Sequence, residues 1–176
     1  MNDVIIIPAR LDSSRFPRKA LYNLNGVPMI QRVYNNAVSF GICDVYVATP
    51  DKEIYEQITK NNGSAIYTSY EHESGSDRVY EAWKKLDKQY DKIINIQGDL
   101  PTVQKNHVIS ALIAFDHSGQ YSTIVSKTYE NLDDINQVKV SITEPDEENV
   151  SDILYFGRNR LFHNSEYEFK NAGIHV

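Results

Sequence analysis

The chain has 176 residues, of which 41% are hydrophobic and 24% charged, and a formal net charge of -6. This length buries one substantial core, and a single globular domain over 1–176 is expected. The acidic balance argues against general nucleic-acid binding, and no run approaches the roughly 20 apolar residues that a bilayer span requires. The single cysteine, Cys43, excludes an internal disulfide framework and a cysteine-rich zinc site.

The opening "MNDVIIIPAR" has too short an apolar stretch, and no basic region before it, for a secretory signal. A cytoplasmic setting, without membrane or nucleic-acid partners, is therefore expected. "DVIIIPA" is rich in β-branched residues and reads as a strand covered on both faces. "PMIQRVYNNAVSFG" follows as a helix, with Pro28 in its first turn, Met29, Val33 and Ala37 on one face, and Gly41 as its stop. "DVYVAT" reads as a second strand. In "DKEIYEQITKNNG", Ile54 and Ile58 face inward on a helix that ends at Asn61-Asn62-Gly63. "SAIYT" is a third strand, and "SDRVYEAWKKL" is an amphipathic helix with Val79, Ala82, Trp83 and Leu86 inward. "KIINIQ" and "KNHVISALIAF" give a fourth strand and a further helix.

This alternation predicts an α/β fold, Rossmann-like, with a mostly parallel sheet and helices on both faces. "YSTIVSKTY", "QVKVSIT" and "DILYFG" predict strands added near the C-terminus, some of them antiparallel. The acidic run "EPDEEN" reads as a solvated turn between two of them.

Ligands of open parallel sheets bind beyond the carboxyl ends of the strands, so the loops there carry the functional reading. The first holds Arg10, Ser13, Ser14, Arg15, Arg18 and Lys19 between Pro8 and Pro17. Arginine grips phosphate oxygens with paired hydrogen bonds and lysine adds a compact charge; a solvated basic loop is the alternative. Neither a Walker A loop nor G-x-G-x-x-G is present, so a phosphate site here depends on side-chain charge and loop amides. The loop after the third strand, "EHESGSDRVYEA", enters a helix, with Ser76 or Asp77 as a simple N-cap or with Gly75 admitting a ligand to the free amides. His72 has no second metal ligand at a suitable spacing and reads as a hydrogen-bonding residue. In "NIQGDLP", Asp99 is placed either in an ordinary Gly-Asp turn or to hold Mg²⁺, which takes one or two carboxylates plus substrate phosphates. One basic, one glycine-serine and one acidic loop on the same edge describe a site for a nucleoside triphosphate with Mg²⁺.

"IIIPARLDSSRFPRKAL", "NGVPMIQRVY", "YVAT", "HESGSDRVYEA" and "NIQGDLP" resemble, in order and spacing, the motifs of the 3-deoxy-manno-octulosonate (Kdo) cytidylyltransferases. "ILYFGR" and "NAGIHV" match later family segments more loosely. The resemblance implies a glycosyltransferase-A-like nucleotidyltransferase that transfers CMP from CTP to Kdo, with Mg²⁺, releasing pyrophosphate for lipopolysaccharide biosynthesis. It implies catalytic roles for Lys19 and Arg10, and nucleotide contacts from Ala9, Arg10, Ser13, Arg15, Lys19, Ser74, Gly75 and Asp77. Gln97 and Arg158 match substrate-binding positions, and Asp99 matches the metal-binding aspartate. The chain departs from the family pattern at Pro50, Leu100, Arg18 (where glycine is usual) and Asn171 (where a sugar-contacting histidine is common). The chain is expected to lack a C-terminal segment that supplies a second metal-binding aspartate, part of the sugar pocket and much of a homodimer contact. Two alternatives stay open: a CTP-binding chain without catalysis, and transfer to another sugar acid.

Overall fold

A computed structural model describes residues 2–12, 16–129, 133–135, 137–159 and 168–176. The first half alternates as the hydrophobic pattern predicts: β1 (Asp3–Pro8), α1 (Met29–Ser39), β4 (Asp44–Thr49), α2 (Lys52–Lys60), β5 (Ala65–Tyr67), α3 (Gly75–Lys84), β6 (Lys92–Ile96) and α4 (Lys105–Ser118). A 3₁₀ turn (Lys19–Leu21) and a two-stranded ribbon, β2 (Asn23–Leu24) with β3 (Val27–Pro28), lie between β1 and α1. Pro28 therefore belongs to the ribbon and precedes α1, one residue outside the turn predicted for it.

The sheet runs in the order β5-β4-β1-β6-β10-β8-β9, where β8 is Lys139–Ile142, β9 is Ile153–Gly157 and β10 is Glu168–His175. The first four strands are parallel, with Ile5 beside Val45 on one side and Ile94 on the other. Alternation of side chains along β1 divides the core in two. Ile5 and Ile7 pack with Ile30, Val33, Ile54, Ile58, Val108 and Ala111, from α1, α2 and α4. Val4 and Ile6 face Val79 and Ala82 of α3 on the opposite face. Helices thus cover both faces, as expected.

The added strands are antiparallel. β10 pairs with β6 through Ile174 and Ile96, with β8 through Phe169 and Val140, and with β7 (Thr123–Thr128) through Asn171 and Val125. Its register against β7 shifts between Asn171 and His175, where Gly173 has φ +75°. The acidic run 144–149 is an exposed turn joining β8 to β9, as the pattern suggests. Cys43 is half-buried, and burial pushes its thiol up to about 11, so it remains protonated near neutrality. Among the described residues, no helix is long and apolar enough to cross a membrane.

The ends of β1 and β6 meet with almost no space between them. A methyl group at Gly98 would sit 2.8 Å from the Pro8 carbonyl oxygen and 3.3 Å from Ile30 Cδ1. The obstructing oxygen is backbone and cannot rotate away. Gly98→Ala is expected to cost about 1–3 kcal/mol through overpacking and to lower the melting midpoint by about 3–10 °C, read by thermal unfolding monitored by circular dichroism.

Candidate active site

Four segments distant in the chain converge at this edge. A methyl group at Gly75, at the start of α3, would lie 3.3 Å from Pro8 Cγ and 3.8 Å from Gln97 Oε1. One at Gly173 in β10 would lie 3.0 Å from Gln97 Cγ. Residues 8–11, 74–77, 97–100 and 171–175 therefore share one rim.

The first loop is tied down by its backbone. The Ala9 amide donates to the Ala48 carbonyl at 2.9 Å and the Leu11 amide to Asp51 Oδ2 at 2.8 Å. The other carboxylate oxygen of the buried Asp51 accepts from the Tyr70 hydroxyl at 3.1 Å, linking the first loop to the third. The loop's cations then go separate ways. Arg18 turns away from the rim and makes two hydrogen bonds to Glu53, so the expectation that all the loop's charge faces a ligand is corrected at this residue. Arg18 also has φ +58°, a left-handed conformation that side chains disfavour and glycine adopts freely, which accounts for the glycine usual at this position. Lys19 instead reaches across the rim: its Nζ lies 2.5 Å from Asp99 Oδ2. Arg10 is exposed and makes no hydrogen bond or ion pair among the described residues. Ser13, Ser14 and Arg15 lie outside them.

At the third loop the cap is Ser74, two residues before Ser76 and three before Asp77. Ser74 Oγ accepts from the Asp77 amide at 3.1 Å, and the Asp77 carboxylate accepts from the Ser74 amide and hydroxyl. The hydrogen bond from the Ser74 hydroxyl holds the Asp77 carboxyl below its ordinary range. Asp77 is thus engaged in shaping the helix start while it stays exposed at the rim. Arg78, 3% exposed, donates to Thr68 Oγ1 at 2.6 Å and to the Ser69 carbonyl at 2.9 Å. Burial lowers its pKa, and the neighbouring positive charge of Arg10 lowers it further. A fixed guanidinium therefore lies near the exposed Arg10 charge, a contribution that the sequence pattern did not single out because Arg78 occupies an ordinary helical position.

Beyond β6, a cavity of about 580 Å³ is lined by Ser76, Gln97, Asp99, Arg158, Asn171 and His175, among others. This is within the roughly 300–1,000 Å³ of small-molecule sites. It unites three predicted site residues, Gln97, Asp99 and Arg158, with Ser76, Asn171 and His175, which were not among the predicted site residues. Asn171 donates to Thr123 Oγ1 and accepts from the Gly173 amide, both at 2.8 Å, so its amide braces the bulge of β10. His175 Nδ1 lies 2.5 Å from the Tyr121 hydroxyl, and burial holds its pKa below the ordinary value. Only the folding of β10 against β6 could place these two at the cavity. A larger cavity of about 910 Å³, between α4 and the 142–153 segment, contains none of the residues predicted for the site.

Among the described residues, no group of three or more His, Cys, Asp or Glu is arranged to hold a metal ion. Asp99 is the one carboxylate among the described residues lining the smaller cavity. That donor set fits a hard cation that keeps its waters and shares phosphate oxygens with a substrate; it does not fit a structural metal held by protein alone.

The chain is similar in sequence and fold to known proteins. The model of the family described as Cytidylyltransferase matches residues 4–174. The chain belongs to the cytidylyltransferase family. A 3-deoxy-manno-octulosonate cytidylyltransferase of Phocaeicola vulgatus is 39% identical over 165 residues, which cover 90% of this chain and 63% of that protein. An 8-amino-3,8-dideoxy-manno-octulosonate cytidylyltransferase of Shewanella putrefaciens is 36% identical over 187 residues, covering 100% of this chain and 74% of that protein. The solved structure of CMP:2-keto-3-deoxy-manno-octonic acid synthetase complexed with CTP superposes with a TM-score of 0.85 at 32% identity, over 99% of this chain and 73% of that one. The chain thus spans between 63% and 74% of the length of these family members.

One carboxylate organises the third loop. Glu81 accepts from the Ser69 amide at 2.8 Å, from Lys85 Nζ at 2.7 Å and from His72 Nε2. Burial alone would raise its pKa, but Lys85, the Ser69 amide and His72 together bring it down from 4.5 to about 2. The folded state therefore favours the ionised form. The resulting stability is complete above pH 4.5 and is lost as pH falls from 4.5 towards 2. Glu81→Gln is expected to flatten the acid limb of stability across that interval, measured by urea denaturation midpoints at successive pH values.

Proposed function

We propose that this chain forms the nucleotide-binding and acceptor-binding face of a cytidylyltransferase that joins CMP to a 3-deoxy-octulosonic acid. The observation that carries the reading is the meeting of Lys19 and Asp99, 80 residues apart in sequence, at the rim of the cavity that also holds Gln97 and Arg158. Phosphoryl chemistry of this kind depends chiefly on positioning and on neutralising phosphate charge, and a cationic loop opposite an acidic one supplies both.

In this reading the triphosphate of CTP lies over the first loop. Arg10 and Lys19 meet its oxygens, with the Ala9 and Gly75 region close enough to limit how the nucleotide sits. Ser13 and Arg15 are assigned to the same loop contact from the family motif. Ser74 and Asp77 preserve the helix start beside it. The acceptor occupies the neighbouring cavity, where Arg158 is suited to the sugar carboxylate through a planar pair of donors and Gln97 to a hydroxyl. The anomeric oxygen forms the new bond to the α-phosphorus as the bond to the bridging oxygen of pyrophosphate breaks, and the hydroxyl proton passes to water. Lys19 balances the charge that grows at the α-phosphate. Asp99 would hold the Mg²⁺, whose chemistry is to neutralise phosphate oxygens and orient the departing pyrophosphate. The reaction belongs in the cytoplasm, where CTP is available.

The relatives named for Kdo and for its 8-amino counterpart are 39% and 36% identical to this chain, so both acceptors are to be tested. Pyrophosphate release is expected from CTP and Mg²⁺ with one of the two acids, and not from ATP. Lys19→Ala is expected to reduce turnover by about 10²–10³-fold with the fold intact, since it removes a charge needed most in the transition state. A folded sample that releases no pyrophosphate with either acid, or a Lys19→Ala variant as active as the parent, overturns the proposal.

A further inference from the structure

Lys19 and Asp99 are bound to each other, yet the proposed reaction requires both to be elsewhere. Resting on that reading, we infer that the Lys19–Asp99 ion pair is a lock that keeps a free divalent cation off Asp99 until a polyphosphate draws Lys19 away.

The geometry leaves each group little else to do. Lys19 Nζ is 2.5 Å from Asp99 Oδ2, and their side chains are 40% and 46% exposed, so both remain reachable from solvent. The neighbouring cation Arg18 is already held by Glu53, and the carboxylate across the rim, Asp77, is held by Ser74. Among the described residues the Lys19 and Asp99 side chains are each other's only hydrogen-bonding or ionic partner. The 3₁₀ turn that carries Lys19 is anchored by the buried Ala20, while Asp99 follows the tightly packed Gly98. The two backbones are therefore fixed, and the lysine side chain is the part able to move.

A divalent cation approaching Asp99 alone meets a neutralised carboxylate with an ammonium at contact distance. Its binding must break the pair and tolerate a like charge nearby. A triphosphate changes both terms, because its oxygens compete with Asp99 for Lys19 and leave the carboxylate open. An exposed ion pair is weak enough for such an exchange. Reciprocity follows: whatever factor the polyphosphate adds to cation affinity at Asp99, the cation adds to polyphosphate affinity at Lys19. The lock thus favours joint arrival of cation and nucleotide and disfavours a cation-loaded site without substrate. A lysine serving only to fasten the 3₁₀ turn to the end of β6 would stabilise the fold and leave cation affinity unchanged.

The test is a Mn²⁺ titration followed by electron paramagnetic resonance, without nucleotide, on the 176-residue chain and its variants. Lys19→Met is expected to bind Mn²⁺ about tenfold more tightly than the parent, since pairing and like-charge repulsion disappear together. Lys19→Met combined with Asp99→Asn is expected to lose that gain. Arg18→Met, which removes an adjacent charge outside the lock, is expected to gain far less. Unchanged Mn²⁺ affinity in Lys19→Met, an equal gain in Arg18→Met, or a gain that survives Asp99→Asn overturns the lock. Binding of CTP in excess EDTA, measured separately by calorimetry, reports on the nucleotide reading alone. A parent chain that fails to bind CTP while showing the expected Mn²⁺ pattern retains the lock and loses the proposed nucleotide.

Discussion

Backbone contact between the ends of β1 and β6 is the constraint on which the rest depends. These strands lie side by side in parallel, so the segments that follow them leave the sheet at the same edge. Gly98 turns the chain directly against the Pro8 carbonyl, where no side chain fits. This proximity brings a basic loop and an acidic loop within one side-chain length. The Lys19–Asp99 pair is its direct consequence, and the α3 helix start joins them because Gly75 packs on Pro8.

The charges in that region are sorted by geometry more than by number. Arg18, Lys19 and Arg10 are close in sequence but have three different fates: one pairs with Glu53 away from the rim, one bridges to Asp99, and one stands open in front of buried Arg78. A 3₁₀ turn entered through a left-handed residue explains the separation of Arg18 from Lys19, because it directs successive side chains outward at different angles. Asp51 and Glu81 perform a quieter task. Each gathers backbone or side-chain donors from a loop and so holds the edge in shape without occupying it.

The C-terminal strands add the other wall. β10 runs against β6, bulges near Gly173 and carries Asn171 and His175 to the cavity, while β9 brings Arg158. Family resemblance alone marked Arg158 and Asn171 for attention, but their surroundings depend on pairings between strands far apart in the chain. The short apolar runs of β7, β8 and β9 were visible as strands because their residues favour pleated, half-buried surfaces. Segment 168–175 was not, since its apolar content is sparse and its partners lie 40 or more residues away for β7 and 78 or more for β6.

Much could be read from residue order alone: the alternating strands and helices, the inward faces of α1, α2 and α3, and the three loops of distinct chemistry. Those features depend on local periodicity and on residue types, which are properties of neighbouring positions. Tertiary structure alone decided that Pro28 belongs to a ribbon, that Ser74 is the cap, that Arg18 leaves the rim, and that Lys19 meets Asp99. Each of these depends on which distant atoms compete for the same space or the same charge, and that competition exists only once the chain has folded.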